Sequence, residues 1–374
     1  MIKNCPLGYN LIVPTEKNTE NGPADWCLEQ IRRLESEPPS KRALNNTNIS
    51  LEALRVEASH RHFYRVRSNG SSRSWVAMWS PPTLENNQQF AVLAQVFRAI
   101  GTPQLLASDF ERGFFLMEDL GNLHLSDAYE SAAGDTLALQ RLVESALDAL
   151  LPLQKIGDSA IPPYDEARLI MEFDLCAEWF AEQLIQTPPR PTDANTLAAA
   201  RGRLVQAMLE QPKACVHRDY HCRNLLLRSD AGEQRTIGMV DFQDALIGPA
   251  LYDPASLLRD CYYTHDETLI RTALERFARH HPLLANVPPQ KIMWWHDACA
   301  IQRQIKAVGI FARLHLRDGK SSHLHYIPSV LSRAAAVAHR YPDLTTLAQL
   351  LDRWAIAASQ HTLIQPESNT ETSL

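Results

Sequence analysis

The chain has 374 residues, of which 45% are hydrophobic, and a formal net charge of −6. This length suffices for two lobes with large cores, whereas the acidic balance supplies no basic surface for nucleic acid and no apolar run reaches the length of a membrane span. The N-terminus lacks the apolar core of a signal peptide, and seven cysteines without a Cys-x-x-Cys pair argue against a zinc site or a disulfide framework.

The N-terminal half predicts a small region that is rich in strands. Residues 54–67 read as a strand, a turn and a second strand, and Ser74–Trp79 has the composition of a third strand. From Thr83 to Ile100 the apolar residues recur mostly at helical spacing, which predicts a helix. The next apolar run breaks into two acids and a glycine within 113–121, which is typical of a strand that leads into a connection.

The chain beyond residue 121 is mostly helical in pattern. Amphipathic stretches predict six helices, at residues 136–156, 166–186, 194–210, 267–281, 289–316 and 328–358. Both ends of the chain, residues 1–23 and 365–374, have few apolar anchors, and we expect them to be mobile.

Two short blocks within this helical region carry the chemistry. His217–Asn224 (HRDYHCRN) runs into an apolar segment, and Asp241 closes a second apolar segment after one turn. This strand-turn-strand places Asp219 and Asn224 before the first strand and Asp241 after the second, as the catalytic loop and metal-binding Asp of protein kinases are placed. Taken singly, Asp219 could be a turn residue and Asn224 an Asx cap, but together the residues indicate phosphoryl transfer.

Phosphoryl transfer requires positioning and charge neutralisation more than covalent chemistry. Asp219 would accept, or simply orient, the hydroxyl that attacks the γ-phosphate. Asn224 and Asp241 supply hard oxygen ligands of the kind that Mg²⁺ prefers, and the metal would bridge the phosphates of ATP. The sequence therefore predicts Asp219 as the catalytic residue and the other two as metal ligands.

The residues around these blocks resemble a family of small-molecule kinases. The segment after Asp241 has no Ala-Pro-Glu and no long phosphorylatable loop, unlike a protein kinase. The motifs DFQDA at 241–245, Gly-Pro at 248–249 and YDPASLLRD at 252–260 resemble the aminoglycoside-phosphotransferase and choline-kinase group. Within that group they look like the anomeric kinases of N-acetylmuramate and N-acetylglucosamine in bacterial cell-wall recycling. The resemblance is strong over residues 213–263 and weaker over 55–121.

This resemblance implies an α+β fold of the bilobal protein-kinase-like type, with a small β-rich N-lobe and a large, mainly helical C-lobe. The expected division is an N-terminal segment 1–23, an N-lobe 24–120, a C-lobe 121–364 and a tail 365–374. It also implies a transferase that uses ATP and Mg²⁺ to make a sugar 1-phosphate. Asp253 reads as an N-cap before Pro254, and the resemblance implies that it also braces the catalytic loop.

The nucleotide side departs from the kinase pattern. No Gly-x-Gly-x-x-Gly is present, and Met78 or Trp79 stands where the strand lysine belongs. Arg61 or Arg65, with Ser59, could supply donors to the phosphates, although both arginines could instead lie on a solvated strand face. Without that lysine, Glu85 reads only as a first-turn charge favoured by the helix dipole.

Adenine would be bound by backbone groups between Glu118 and Leu120, which look like the connection between the lobes. Five residues near the chemistry in sequence could read sugar hydroxyls or a lactyl carboxylate: Arg223, Gln243, Asp244, Tyr252 and Arg259. Basic and aromatic residues within 294–315 could also face the substrate, or pair with acids elsewhere.

Alternative readings are another small-molecule kinase of the same fold, acting on an aminoglycoside, choline or homoserine, and a pseudokinase that only binds nucleotide. An acidic lining of the cleft would favour a cationic drug, and an Arg-rich lining an anionic sugar. In each reading we expect a cytoplasmic protein that binds neither nucleic acid nor membrane, and in the kinase readings its substrate is a small molecule.

Overall fold

The computed structural model describes residues 23–34, 49–54, 60–68, 73–187, 189–229 and 235–365. Ser59 and nearly all of the two predicted mobile ends lie outside these ranges. The chain divides into two compact units, one of Met1–Asn87 with Leu105–Asp119 and one of Gln88–Gln104 with Leu120–Leu374. Across the described ranges, no helix combines the length and the apolar character needed to cross a membrane.

The first unit is a helix packed on an antiparallel sheet. The helix is α1 (Pro23–Leu34), and the strands are β1 (Ile49–Ala53), β2 (His62–Ser68), β3 (Ser74–Trp79), β4 (Leu105–Asp109) and β5 (Phe114–Glu118). Among the described residues the strand order is β1-β2-β3-β5-β4. Trp26 and Ile31 of α1 pack against Val66, Trp75 and Leu116 on one face of the sheet, because alternate strand residues point the same way.

The predicted strands of this unit are largely found. The strand predicted over Ser74–Trp79 is confirmed, as is the second strand within residues 54–67. Nearly all of the first predicted strand lies outside the described residues, and in the described part β1 pairs with β2 in the register Ile49↔Ser68 to Ala53↔Tyr64.

Helix α2 (Asn87–Phe97) belongs almost entirely to the second unit, although the predicted N-lobe of 24–120 included it. The physical reason is aromatic packing. The rings of Phe90 and Phe97 lie 5.5 Å and 5.9 Å from the ring of Phe242, which follows Asp241 in the second unit.

The second unit is mainly helical. Its further helices are α3 (Leu125–Ser131), α4 (Thr136–Gln154), α5 (Glu166–Leu175), α6 (Pro191–Leu209), α7 (Tyr252–Leu258), α8 (Glu267–His280), α9 (Pro289–Asp318), α10 (Ile327–Ala338) and α11 (Thr345–Gln360). The helix predicted at 166–186 is α5 continued by a π-helical segment, Cys176–Leu184. The single helix predicted at 328–358 is divided into α10 and α11, since Pro342 lacks the N–H that would continue the first one.

Two short antiparallel pairs position the predicted site. Strand β6 (Lys213–Val216) pairs with β9 (Leu246–Pro249), and β7 (Leu225–Ser229) pairs with β8 (Arg235–Met239). The register of the second pair matches Leu225 with Met239, so Asn224 and Asp241 lie at the same end of the hairpin.

The 30-residue helix α9 crosses the π-helical segment closely, and Gly309 makes the approach possible. A Cβ atom at this position would lie 2.4 Å from the carbonyl carbon of Leu175 and 2.6 Å from the backbone nitrogen of Cys176. Because these are backbone atoms, neither can rotate away.

We expect Gly309→Ala to lower the free energy of unfolding by about 3 kcal/mol, at the upper end of the range for overpacked sites. Gly202→Ala is the matched control, because Gly202 lies in α6 with no atom within 4 Å of an added Cβ. It should stabilise the protein by about 0.5–1 kcal/mol. Urea denaturation measures both changes, and equal stability of the two variants would contradict the packing argument.

Candidate active site

The catalytic loop His217–Asn224 is held by buried carboxylates that accept its backbone N–H groups. Asp253 accepts from His217 N at 2.6 Å and from Arg218 N at 3.0 Å. Burial raises the pKa of Asp253 to about 7, against the lowering effect of these two donors. The predicted brace is therefore confirmed. The N-cap prediction is wrong, because α7 is capped by Leu251 and Asp253 lies inside its first turn.

A second brace, Asp260, was missed by the sequence reasoning. Its fully buried carboxylate accepts from Cys222 N at 2.8 Å and from Tyr262 N at 2.9 Å. Asp260 ends the YDPASLLRD motif, so its place in that motif was the available signal. The loop is thus anchored on both sides of Asp219.

The charges around Asp219 decide its protonation state. Burial alone would raise the pKa of this carboxyl, but Lys306 and Arg218 lower it most, and His221 and Arg303 add to the effect. The net result is a pKa of about 2. Asp219 is therefore ionised at neutral pH and is a weak base, which suits it to orient a hydroxyl rather than to hold its proton.

Glu172 of α5 holds the two cations that affect Asp219 most. It accepts from Arg218, and its carboxylate lies 3.0 Å from Lys306 Nζ. The hydroxyl of Tyr164 also donates to Glu172. Arg218 has a φ of 75°, a strained backbone that these contacts help to maintain.

The sequence did not point to Glu172 or Tyr164. The one available signal was that Glu172 falls on the same face of the predicted helix as the apolar Leu169 and Phe173. Lys306 is one of the basic residues within 294–315 that were expected either to face the substrate or to pair with acids. The structure shows it paired with the acid Glu172.

Asn224 and Asp241 meet as predicted. Val240 N donates to Asn224 O at 3.0 Å, which closes the end of the hairpin. The Asn224 Nδ2 atom lies 3.0 Å from the backbone oxygen of Asp219 and 3.4 Å from Asp241 Oδ2. Asp241 has a φ of 65°, so its exposed carboxylate leaves the strand in an unusual direction.

This pair fits a Mg²⁺ site in its chemistry, since one carboxylate and one amide offer oxygen ligands and Mg²⁺ keeps several non-protein ligands. No group of three or more His, Cys, Asp or Glu side chains suited to a metal occurs in the described part of the chain. Nucleotide phosphates and water would therefore have to complete the coordination.

The residues proposed to read the sugar divide into two groups. Gln243 donates to Asp241 Oδ1 at 2.5 Å, and Asp244 lies 3.8 Å from Arg218 NH1. Tyr252 is fully buried, and its hydroxyl lies 3.3 Å from the hydroxyl of Tyr164 and 3.3 Å from Lys306 Nζ. Asp244 and Tyr252 thus contact cations that act on Asp219, and Gln243 contacts the predicted metal ligand Asp241.

Arg223 and Arg259 lie in separate clusters. Arg223 stacks over the ring of Tyr262 at 4.0 Å from its centroid and donates to the hydroxyl of Tyr326. Arg259 is buried and donates to Asp297 at 3.0 Å and to Glu267 at 2.8 Å. The guanidinium of Arg259 is therefore engaged in a structural ion-pair network.

In the first unit, the two candidate nucleotide-binding arginines have different partners. Arg61 forms an ion pair with Glu85 at 3.0 Å, and its Nε lies 3.4 Å from the hydroxyl of Ser80. Arg65 donates to both oxygens of Asp119, at 2.7 Å and 3.1 Å. The interpretation of Glu85 as a first-turn charge is wrong, because α2 begins at Asn87 and Glu85 is paired.

The positions predicted to bind adenine lie at and just after the end of β5. Glu118 is the last residue of β5 and pairs with Trp75 of β3. Leu120 is buried and opens the longer segment of the second unit.

Comparison with known proteins agrees with this geometry. The profile of the phosphotransferase enzyme family (APH) matches residues 50–287. The chain belongs to this family. It is 34% identical over 304 residues to a Pseudomonas aeruginosa protein named N-acetylmuramate/N-acetylglucosamine kinase, covering 79% of this chain and 86% of that relative. A Neisseria meningitidis serogroup B protein of the same name is 33% identical over 309 residues, covering 81% and 90%.

Among solved structures, the choline kinase of Cryptosporidium parvum aligns with this phosphotransferase at a TM-score of 0.59. The alignment covers 87% of this chain and 99% of the kinase at 11% identity. Such a likeness shows the fold alone, and it confirms the predicted α+β protein-kinase-like class. The family confirms a phosphotransferase of the small-molecule kinase type.

Asp260→Ala should destabilise the loop, because it leaves the N–H groups of Cys222 and Tyr262 without an acceptor. We expect the free energy of unfolding to fall by about 2–4 kcal/mol, since each unsatisfied buried group costs about 1–3 kcal/mol. Denaturation and hydrogen exchange of the Cys222 amide measure this. Asp158→Ala removes an exposed carboxylate that accepts from Ala160 N, and it should change stability by less than about 0.5 kcal/mol. Unchanged exchange at Cys222 would contradict the role of Asp260.

Proposed function

We propose that this phosphotransferase uses ATP and Mg²⁺ to phosphorylate the anomeric hydroxyl of N-acetylmuramate, N-acetylglucosamine or both, forming the 1-phosphate in cytoplasmic peptidoglycan recycling. The names of the relatives support this acceptor class. The observation that carries the proposal is the charge around Asp219, where Lys306, Arg218 and Arg303 all stabilise a negative charge.

Those cations favour an anionic or neutral acceptor over a cationic one. An aminoglycoside or choline would bring positive charge beside three basic side chains, and like charges in a partly buried site repel strongly. N-acetylmuramate carries a carboxylate, and N-acetylglucosamine is neutral. The three cations that act on Asp219 thus support a sugar acceptor over a cationic drug.

The reaction asks little of Asp219 as a base. An anomeric hydroxyl is more acidic than an ordinary alcohol, so an ionised carboxylate that orients it can suffice. Two braces, Asp253 and Asp260, fix the loop that carries this carboxylate. Asn224 and Asp241 would hold Mg²⁺, which neutralises charge on the nucleotide phosphates when it is bound.

On the nucleotide side the geometry favours Arg61 over Arg65 as the replacement for the strand lysine. In kinases the lysine pairs with a glutamate of the small-lobe helix region. Arg61 forms the corresponding pair with Glu85, and it adjoins His62, which pairs with Trp79 at the position where the lysine would stand. Arg65, by contrast, is engaged by Asp119. The backbone from Glu118 to Leu120 remains the proposed contact for adenine.

The acceptor is tested by transfer from labelled ATP with Mg²⁺ to N-acetylmuramate, N-acetylglucosamine, glucose, choline and kanamycin, with the product examined by phosphorus NMR. We expect a 1-phosphate on the N-acetylated sugars alone. Asp219→Asn should lower kcat by at least about 1000-fold while nucleotide still binds, because the hydroxyl loses its orienting charge.

Three results would count against this proposal. Near-normal turnover by Asp219→Asn would remove the role of that residue. Binding of ATP without labelling of any acceptor would support the pseudokinase alternative instead. Phosphorylation of kanamycin or choline would show that the charge argument is wrong.

Arg61→Met should lower kcat/KM for ATP by about 30- to 100-fold, the effect of losing a charge-assisted contact to phosphate, and Arg61→Lys should restore part of it. Arg65→Met should mainly lower stability, since it leaves the buried carboxylate of Asp119 without its ion-pair partner. Arg67→Met is the matched control on the same strand, because Arg67 is exposed and pairs with exposed Glu52. Equal kinetic effects of the Arg61 and Arg67 variants would refute the assignment.

A further inference from the structure

Arg303, in the middle of α9, is a buried cation without a carboxylate partner in the described ranges. The residue is only 6% exposed. Its Nε is buried and has no hydrogen-bond partner there, and NH1 makes a weak contact of 3.8 Å with the sulfur of Cys261. The other basic residues nearby are different, since Lys306 pairs with Glu172 and Arg259 pairs with Asp297 and Glu267.

A buried guanidinium is unfavourable in a folded protein unless an anion or hydrogen-bond acceptors satisfy its N–H groups. Removing a guanidinium from water costs several kcal/mol, and an ion pair or a full set of acceptors normally offsets this. A buried polar group that stays unsatisfied is therefore a sign of a site that a ligand completes.

The position of Arg303 narrows the kind of ligand. Arg303 lies three residues before Lys306 in α9, on the same face of that helix, and contacts Cys261, which follows Asp260. Its charge also interacts with Asp219 and lowers the pKa of that carboxyl, so Arg303 lies on the side of α9 that carries the cations of the site. The carboxylates of Asp253 and Asp260 accept backbone N–H groups of the loop region, and neither forms an ion pair with Arg303 among the described residues. An anion brought by the substrate can thus satisfy Arg303 where the protein does not.

We infer that Arg303 is the anion-binding residue of the sugar site and that it takes the lactyl carboxylate of N-acetylmuramate. This inference rests on the proposed function and extends it to specificity. N-acetylglucosamine lacks the carboxylate, so its phosphorylation proceeds without this contact. Arg303 then determines the preference between the two sugars, whereas its effect on the charge of Asp219 acts on both sugars alike.

The test compares kcat/KM for the two sugars in wild type, Arg303→Met and Arg303→Lys. In Arg303→Met, the value for N-acetylmuramate should fall about 10- to 100-fold relative to that for N-acetylglucosamine, which is the usual effect of losing a charge-assisted hydrogen bond. Arg303→Lys should be intermediate. Arg333→Met is the control, because Arg333 also contacts Cys261 but donates to neutral oxygens of Cys261 and Thr264. Its sugar ratio should match that of wild type.

A second arm changes the ligand instead of the protein, and it applies even if Arg303→Met does not fold. Wild type should use the carboxamide of N-acetylmuramate about 10- to 100-fold less well than the acid, and the methionine variant should no longer distinguish them.

Three outcomes overturn the inference. An equal loss with both sugars in Arg303→Met means a structural role or a contact to the transferred phosphoryl group. Equal use of acid and carboxamide by wild type means that no residue reads the carboxylate. Transfer by wild type to neither sugar refutes the proposed function itself, and the assignment of Arg303 with it. The first two outcomes leave the proposed function intact.

Discussion

The site depends on the capture of loop N–H groups by two buried carboxylates. Asp253 and Asp260 are fully buried, yet each accepts two backbone N–H groups, which is how a protein interior makes a carboxylate tolerable. By accepting these N–H groups, the two carboxylates fix the loop on both sides of Asp219. With the backbone fixed, Arg218 can keep a positive φ and turn its side chain towards Glu172. Orientation, which phosphoryl transfer needs most, therefore begins with buried polar groups that take no part in the reaction.

Charge is the second organising feature. Glu172 offsets Lys306 and Arg218, whereas Arg303 has no such partner among the described residues. Three basic side chains therefore lower the pKa of Asp219, although the whole chain has a net charge of −6. Net charge describes solubility and long-range attraction, but the acceptor meets only the local charge. This contrast explains how a fold shared with a choline kinase can accommodate the acidic acceptor that we propose.

The nucleotide side illustrates how a fold can keep an interaction while changing its residues. Met78 or Trp79 stands where the strand lysine is expected, and Arg61, the residue before β2, forms an ion pair with Glu85 and is our proposed replacement. An arginine side chain is longer than a lysine side chain and offers more donors, so Arg61 can reach Glu85 from the start of the neighbouring strand. The loss of a signature lysine is therefore weak evidence for a pseudokinase when a nearby basic residue forms the same pair.

The sequence by itself determined the features that depend on short separations. The hairpin of β7 and β8 follows from two apolar runs and a turn, and it suffices to bring Asn224 and Asp241 together. Only the tertiary structure decided the partners of Asp219, since Glu172 lies on α5, and Lys306 and Arg303 lie on α9. No local sequence pattern predicts how those helices cross. Their crossing depends on packing such as that of Gly309 against Leu175. Likewise, the aromatic contacts of α2 with Phe242, and not its place in the sequence, assigned that helix to the second unit.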